Sequence, residues 1–198
     1  MKQICVFLLS MLLTACSAAP DSAELVPYDL SEKEQFVLET FGMLESSQLL
    51  SFHAPEEAIT LRVHVYQMLS GGAWEETGGG ATSIGAEREP VDRLDGYFAM
   101  RLRKDLGIDF HIRCAGLASY QTDAVDLSAA ARAVYLLTDA REITMETEIP
   151  VALMVYESDA AMPAYCLEDY FEPSRFDGRE LVQAVTLEFS AQGLSAQE

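Results

Sequence analysis

The side chains with chemistry to offer are three histidines, four cysteines, a glycine-flanked serine and a surplus of carboxylates. Metal coordination favours imidazoles or thiolates at close spacing, yet His53, His64 and His111 stand far apart and no Cys-x-x-Cys or His-x-x-x-His occurs. The sequence therefore predicts no metal centre and no cofactor. Gly80-Ala81-Thr82-Ser83-Ile84-Gly85 has the outer glycines of a phosphate loop, but Ala86-Glu87 stands where Lys-Ser or Lys-Thr belongs, and glutamate repels phosphate. Around Ser83 the same stretch approaches a nucleophile elbow, which needs a strand before the serine and a helix after it. Its flanks are glycines and charged residues, so it reads as a flexible hairpin or loop tip. Glu168, Asp169, Glu172 and Asp177 offer oxygen ligands without the Asp-x-Asp-x-Asp-Gly order of a calcium loop, and read as a solvated loop. Acidic pairs are plentiful, but two carboxylates cleave a glycosidic bond only at a set separation across a cleft. No nucleophile–base signature emerges, which favours a binding domain over an enzyme.

Aromatic residues suggest where binding would occur. Tyr165, Tyr170 and Phe171 lie in a long acidic connection, and Trp74 follows a Gly-Gly pair. A rigid scaffold presenting an aromatic loop is a usual recognition surface, although the same rings can instead cap one end of a core. These four residues form the candidate interaction surface.

At the amino terminus, Lys2 precedes an apolar run from Ile4 to Leu13 that closes on Leu13-Thr14-Ala15-Cys16. This segment resembles the signal peptide and lipobox of bacterial lipoproteins. The resemblance implies cleavage between Ala15 and Cys16, a diacylglyceryl thioether on Cys16 and frequent acylation of the freed amine. Each buried methylene contributes about 0.8 kcal/mol, so two or more chains anchor stably where one does not. The run is far shorter than the ~20 residues of a spanning helix. The implied location is the extracytoplasmic face of the cell membrane. The body is also similar to small lipid-anchored surface proteins of Gram-positive-type bacteria with no assigned activity, through Gly71-Gly72-Ala73-Trp74 and a final strand Ala184-Val185-Thr186-Leu187-Glu188-Phe189-Ser190.

Removing fifteen residues from 198 leaves 183, enough for one domain with a core that needs no disulfide. Lys2 leaves with the signal, taking the net charge from −19 to about −20. Nucleic acid is an improbable partner at that charge, because binding it relies on Lys and Arg displacing counterions. A self-repelling surface of one sign favours a soluble monomer. With Cys5 removed and Cys16 acylated, Cys114 and Cys166 remain, and an oxidising compartment permits a disulfide. Against pairing, Cys114 is in phase with Ile108, Phe110 and Ile112 and suits a buried thiol.

The elements that would position these residues follow from periodicity. Residues 16–28 comprise the acylated cysteine and a small, acidic, proline-containing stretch that reads as a tether. Ser31-Glu32-Lys33-Glu34 has capping-box spacing and predicts a helix over 32–41, stopped by Gly42. Beyond it the period becomes two. Ile59, Leu61, Val63 and Val65 alternate with polar neighbours, as do Phe98, Met100 and Leu102; Ile108, Phe110 and Ile112; Ile143, Met145 and Thr147; and Val185, Leu187 and Phe189. Denser apolar runs at 133–137 and 151–156 suit central strands. Turn signals fall at Gly71-Gly72, Asp95-Gly96, 104–107, Thr138-Asp139 and Asp177-Gly178. The expectation is an all-β, antiparallel, immunoglobulin-like β-sandwich of about seven to nine strands over 29–191, with a short amino-terminal helix and a frayed tail at 192–198. Its predicted role is non-catalytic binding of a protein or cell-wall component at the membrane. A wall-polymer hydrolase with paired carboxylates and a ligand- or metal-binding lipoprotein are the alternatives.

Overall fold

The structure, a computed structural model, describes residues 22–69, 72–85, 87, 91–127, 131–158 and 163–194. Cys16, the cleavage site and Gly71 lie outside the described residues.

Two antiparallel sheets face each other across an apolar core, forming a β-sandwich. The chain runs β1 (Glu24–Pro27), α1 (Glu32–Thr40), β2 (Ser47–His53), β3 (Thr60–Leu69), β4 (Glu75–Ser83), β5 (Asp95–Leu102), β6 (Ile108–Arg113), β7 (Leu117–Gln121), β8 (Ala131–Leu136), β9 (Arg141–Glu142), β10 (Ile149–Glu157) and β11 (Leu181–Ser190). One sheet has the order β7-β6-β5-β2-β1-β9 and the other β4-β3-β11-β10-β8. Eleven strands among the described residues exceed the expected seven to nine, because short pairings such as β1 and β9 leave little periodic signal.

Alternation explains the packing. Leu61, Val63 and Val65 of β3 pair in register with Phe189, Leu187 and Val185 of β11 and point into the core with them. The first sheet answers with Leu50, Phe52, Phe98, Phe110 and Ile112. Phe52 and Phe189 meet edge to face at 5.6 Å across the interface. β10 is buried on both faces, as its dense apolar run predicts, and so is β11 despite its alternating sequence, because residues 163–180 fold back over the outer side of that sheet. β8, which carries the other dense run, is an edge strand rather than a central one.

Three expectations need correction. The tether ends earlier than Tyr28: Glu24–Pro27 pairs with β2 and β9, and Leu25 is fully buried between them. Ile143, Met145 and Thr147 form no strand, since Glu146 takes a positive φ of 55° and its N–H donates to Phe189 O (2.8 Å). The glycine-rich segment around Ser83 is no loop tip either. Gly78-Gly79-Gly80 belongs to β4, where a Cβ on Gly80 would lie 2.6 Å from the Tyr120 ring. That ring covers the bare backbone, and its hydroxyl donates to Ala81 O (2.5 Å), joining the two sheets at the β4/β7 corner.

The helix forms as its cap predicts. Ser31 N–H donates to Glu34 Oε2 (2.8 Å), Glu34 N–H donates to Ser31 Oγ (3.4 Å), and Gly42 follows at φ +64°. No residue of α1 is buried. The helix borders the outer face of the β7-β6-β5-β2-β1-β9 sheet, where Leu38 lines a depression together with Leu49, Ala99, His111 and Ser119.

Candidate functional site

The densest polar constellation among the described residues lies on the outer face of the sheet containing β3 and β11. Strand alternation aims Arg62, His64 and Tyr66 outward, in register with Glu188, Thr186 and Ala184. Between Val65 and Tyr66 the pairing with β4 carries a bulge, whose extra residue is Thr77. That residue changes the parity of β4, so Glu76 stands opposite Tyr66 on the face of His64. Gly79 is opposite His64, and a Cβ there would crowd Val63 O (2.6 Å) and Glu76 Oε1 (3.3 Å). The missing side chain leaves room for the Glu76 carboxylate to accept a hydrogen bond from His64 Nδ1 at 2.8 Å.

Glu148, just before β10, supplies the second centre of charge. Its Oε1 accepts from Tyr66 (2.8 Å), and its Oε2 accepts from Tyr170 (2.6 Å) and Thr186 (2.8 Å). Burial alone would push this carboxyl up, but the three hydroxyls together with nearby His64 outweigh it and hold the group below the usual range. Burial and the same carboxylate raise the Tyr66 and Tyr170 phenols far above their ordinary value. A carboxylate kept ionised in this way is the reverse of a general acid, which needs a raised pKa.

Of the two readings of the aromatic candidates, a recognition loop or the cap of a core, three of the four residues follow the second. Tyr165 and Tyr170 are buried: they are only 8% and 9% exposed. Tyr170 stacks on Trp74 at 5.3 Å, Trp74 Nε1 donates to Tyr170 O (3.0 Å), and Phe176 fills in against Trp74 and Tyr165. The rings therefore form a second small core under two 3₁₀ turns, Leu167–Phe171 and Pro173–Phe176. Phe171 alone of the four is mostly exposed, at 59%.

Cys114 and Cys166, whose pairing the sequence left open, are both free. Cys114 lies beside Thr82 near the β6–β7 turn, whereas Cys166 precedes the first 3₁₀ turn against β8. Two of the four acidic residues in the 168–177 stretch are engaged with protein groups: Asp169 accepts from Cys166 N–H (2.9 Å) and pairs with Arg175 (2.8 Å), and Glu168 pairs with Arg141. Ser83 Oγ donates to Ile59 O (2.9 Å) and accepts from Thr60, serving the strand end.

An apolar surface that sequence reasoning missed lies on and beside α1. Phe36 and Phe41 are 67% and 73% exposed, with Val37 and Leu44 also exposed. Leu38 and Met43 turn the other way, bordering a depression of about 600 Å³ over Ala99, Arg101, His111 and Ser119. The signal was present in the sequence as Phe36, Val37 and Phe41, but a helix with a capping box ordinarily buries such residues. No helix among the described residues is long and apolar enough to cross a membrane.

Compared with known proteins, the chain matches no protein-family model, no curated protein and no solved structure.

Proposed function

We propose that this chain is a lipid-anchored, extracytoplasmic binding domain that engages a protein partner through α1. The lipobox residues Leu13-Thr14-Ala15-Cys16 support the anchor. The observation that carries the binding role is the apolar face of α1, where Phe36, Val37 and Phe41 face solvent on a helix that buries nothing of its own. Exposed apolar surface of this kind marks a recognition site.

Its location fits the anchor. Seven residues separate Cys16 from Glu24, a leash of at most ~30 Å, which keeps the domain near the bilayer. α1 borders the outer face of one sheet with Phe36, Val37 and Phe41 exposed, where they are available to a partner. Glu32, Glu34 and Glu39 flank the apolar residues, which favours a partner groove that is apolar at its centre and basic at its rim.

Cross-linking on intact membranes, comparing the wild type with a Phe36→Ser/Phe41→Ser double variant, tests this reading. The wild type should form a discrete adduct that the variant loses while its melting temperature stays unchanged. An adduct pattern identical in both would refute the role given to α1.

A further inference from the structure

We propose that His64, Glu148 and Glu188 form a binding site for a divalent transition cation of the zinc class, an inference independent of the role given to α1. One ligand atom from each residue lies within 4.8 Å of the other two. His64 and Glu188 come from β3 and β11, paired strands of one sheet, and Glu148 immediately precedes β10 of that sheet, where Tyr66, Tyr170 and Thr186 fix its carboxylate.

The imidazole is prepared for the task. Glu76 accepts from Nδ1 at 2.8 Å, and in the neutral ring this leaves the lone pair on Nε2. A carboxylate behind a histidine is the usual outer partner that fixes the tautomer of a metal ligand and raises its basicity. Nε2 itself is buried and has no hydrogen-bond partner, with Glu188 Oε2 3.6 Å away. An unmatched buried nitrogen is costly unless something occupies its lone pair. Tetrahedral zinc, with bonds near 2.0–2.2 Å, sets its ligand atoms about 3.3 Å apart, so only small side-chain rotations are needed.

The carboxylates are oriented too. Arg62 lies 3.8 Å from Glu188 Oε1, leaving Oε2 toward His64. Tyr66, Tyr170 and Thr186 hold Glu148, as outer hydroxyls hold a ligating carboxylate. Two carboxylates and a neutral imidazole balance the charge of one divalent ion. An imidazole among three donors favours zinc-like ions over calcium, which takes six to eight oxygens. Three protein ligands leave a fourth position for water, and a depression of about 710 Å³ lined by Arg62, His64, Glu76 and Gly79 borders the imidazole.

Isothermal titration of the chelator-treated full-length protein with zinc chloride tests the site. One equivalent should bind, with a matching rise in melting temperature. His64→Ala and Glu188→Gln should each weaken binding at least tenfold, and Glu76→Gln by about 10- to 100-fold. Cys114→Ser and Cys166→Ser should leave it unchanged. Circular dichroism checks that each variant is folded. Nitrogen-15 spectra provide the second readout: zinc should move the His64 Nε2 resonance. No saturable binding, binding that survives His64→Ala or depends on either cysteine, or a His64 resonance indifferent to zinc would overturn the proposal.

Discussion

Glu148 shows how a single carboxylate organises its surroundings. It collects hydrogen bonds from Tyr66, Tyr170 and Thr186, which belong to β3, the 163–180 connection and β11. Its folded pKa lies below the ordinary value of 4.5, so its ionised form stabilises the fold fully above that pH. The contribution is lost as pH falls through the lowered folded value. Glu148→Gln should therefore cost about 1–3 kcal/mol near neutrality, from weakened hydroxyl pairing. Urea unfolding should show the gap between wild type and variant narrowing below pH 4.5; a gap constant from pH 7 to pH 3 would contradict this electrostatic role. None of this network was legible in the sequence. Glu148, Tyr66 and Tyr170 are distant in the chain, and only the register of β3 with β11 and the folding back of the connection bring them together. His64 and Glu76 were hidden for a similar reason, since a one-residue bulge decides which face Glu76 occupies.

Among the elements, those with strict alternation were readable. β3, β5, β6 and β11 fall where period two predicts, because the inward face of each packs on the core, although β11 is covered on its outer face as well. β2 was missed because Gln48 takes an inward position that a hydrophobe would normally hold; its amide donates to Leu137 O (2.9 Å) where the chain leaves β8 for the other sheet. β4 was missed because glycines replace its side chains. Their role yields a prediction: Gly80→Val drives a branched side chain into the Tyr120 ring and should destabilise the protein by about 1–3 kcal/mol. Pairing that change with Tyr120→Gly should recover part of the loss, as a chemical-denaturation double-mutant cycle would reveal. Additive losses would mean that the ring does not protect the β4 backbone. The capping box identified α1 correctly, yet the sequence carried no sign that its apolar residues remain uncovered. Helical periodicity tells which residues share a face, not whether anything lies against it.

At the scale of the whole molecule, the acidic surface, the two-sheet core and the short leash are separate constraints on one arrangement. A net charge of −19 leaves an anionic bilayer unattractive to the body of the protein, so the proposed attachment rests on the amino terminus alone. The strand β1 draws the globule to within seven residues of Cys16, closer than a tether reaching Tyr28 would have held it. Where the first sheet begins was not legible in the sequence, because four residues ending in Pro27 are too short to show a period.

The most direct measurement is mass spectrometry of the amino-terminal peptide from protein extracted with detergent from membranes. The account predicts a peptide that begins at Cys16 and carries a diacylglyceryl thioether on its sulfur. A peptide retaining residues 1–15, or an unmodified Cys16 on protein recovered in the soluble fraction, would contradict it.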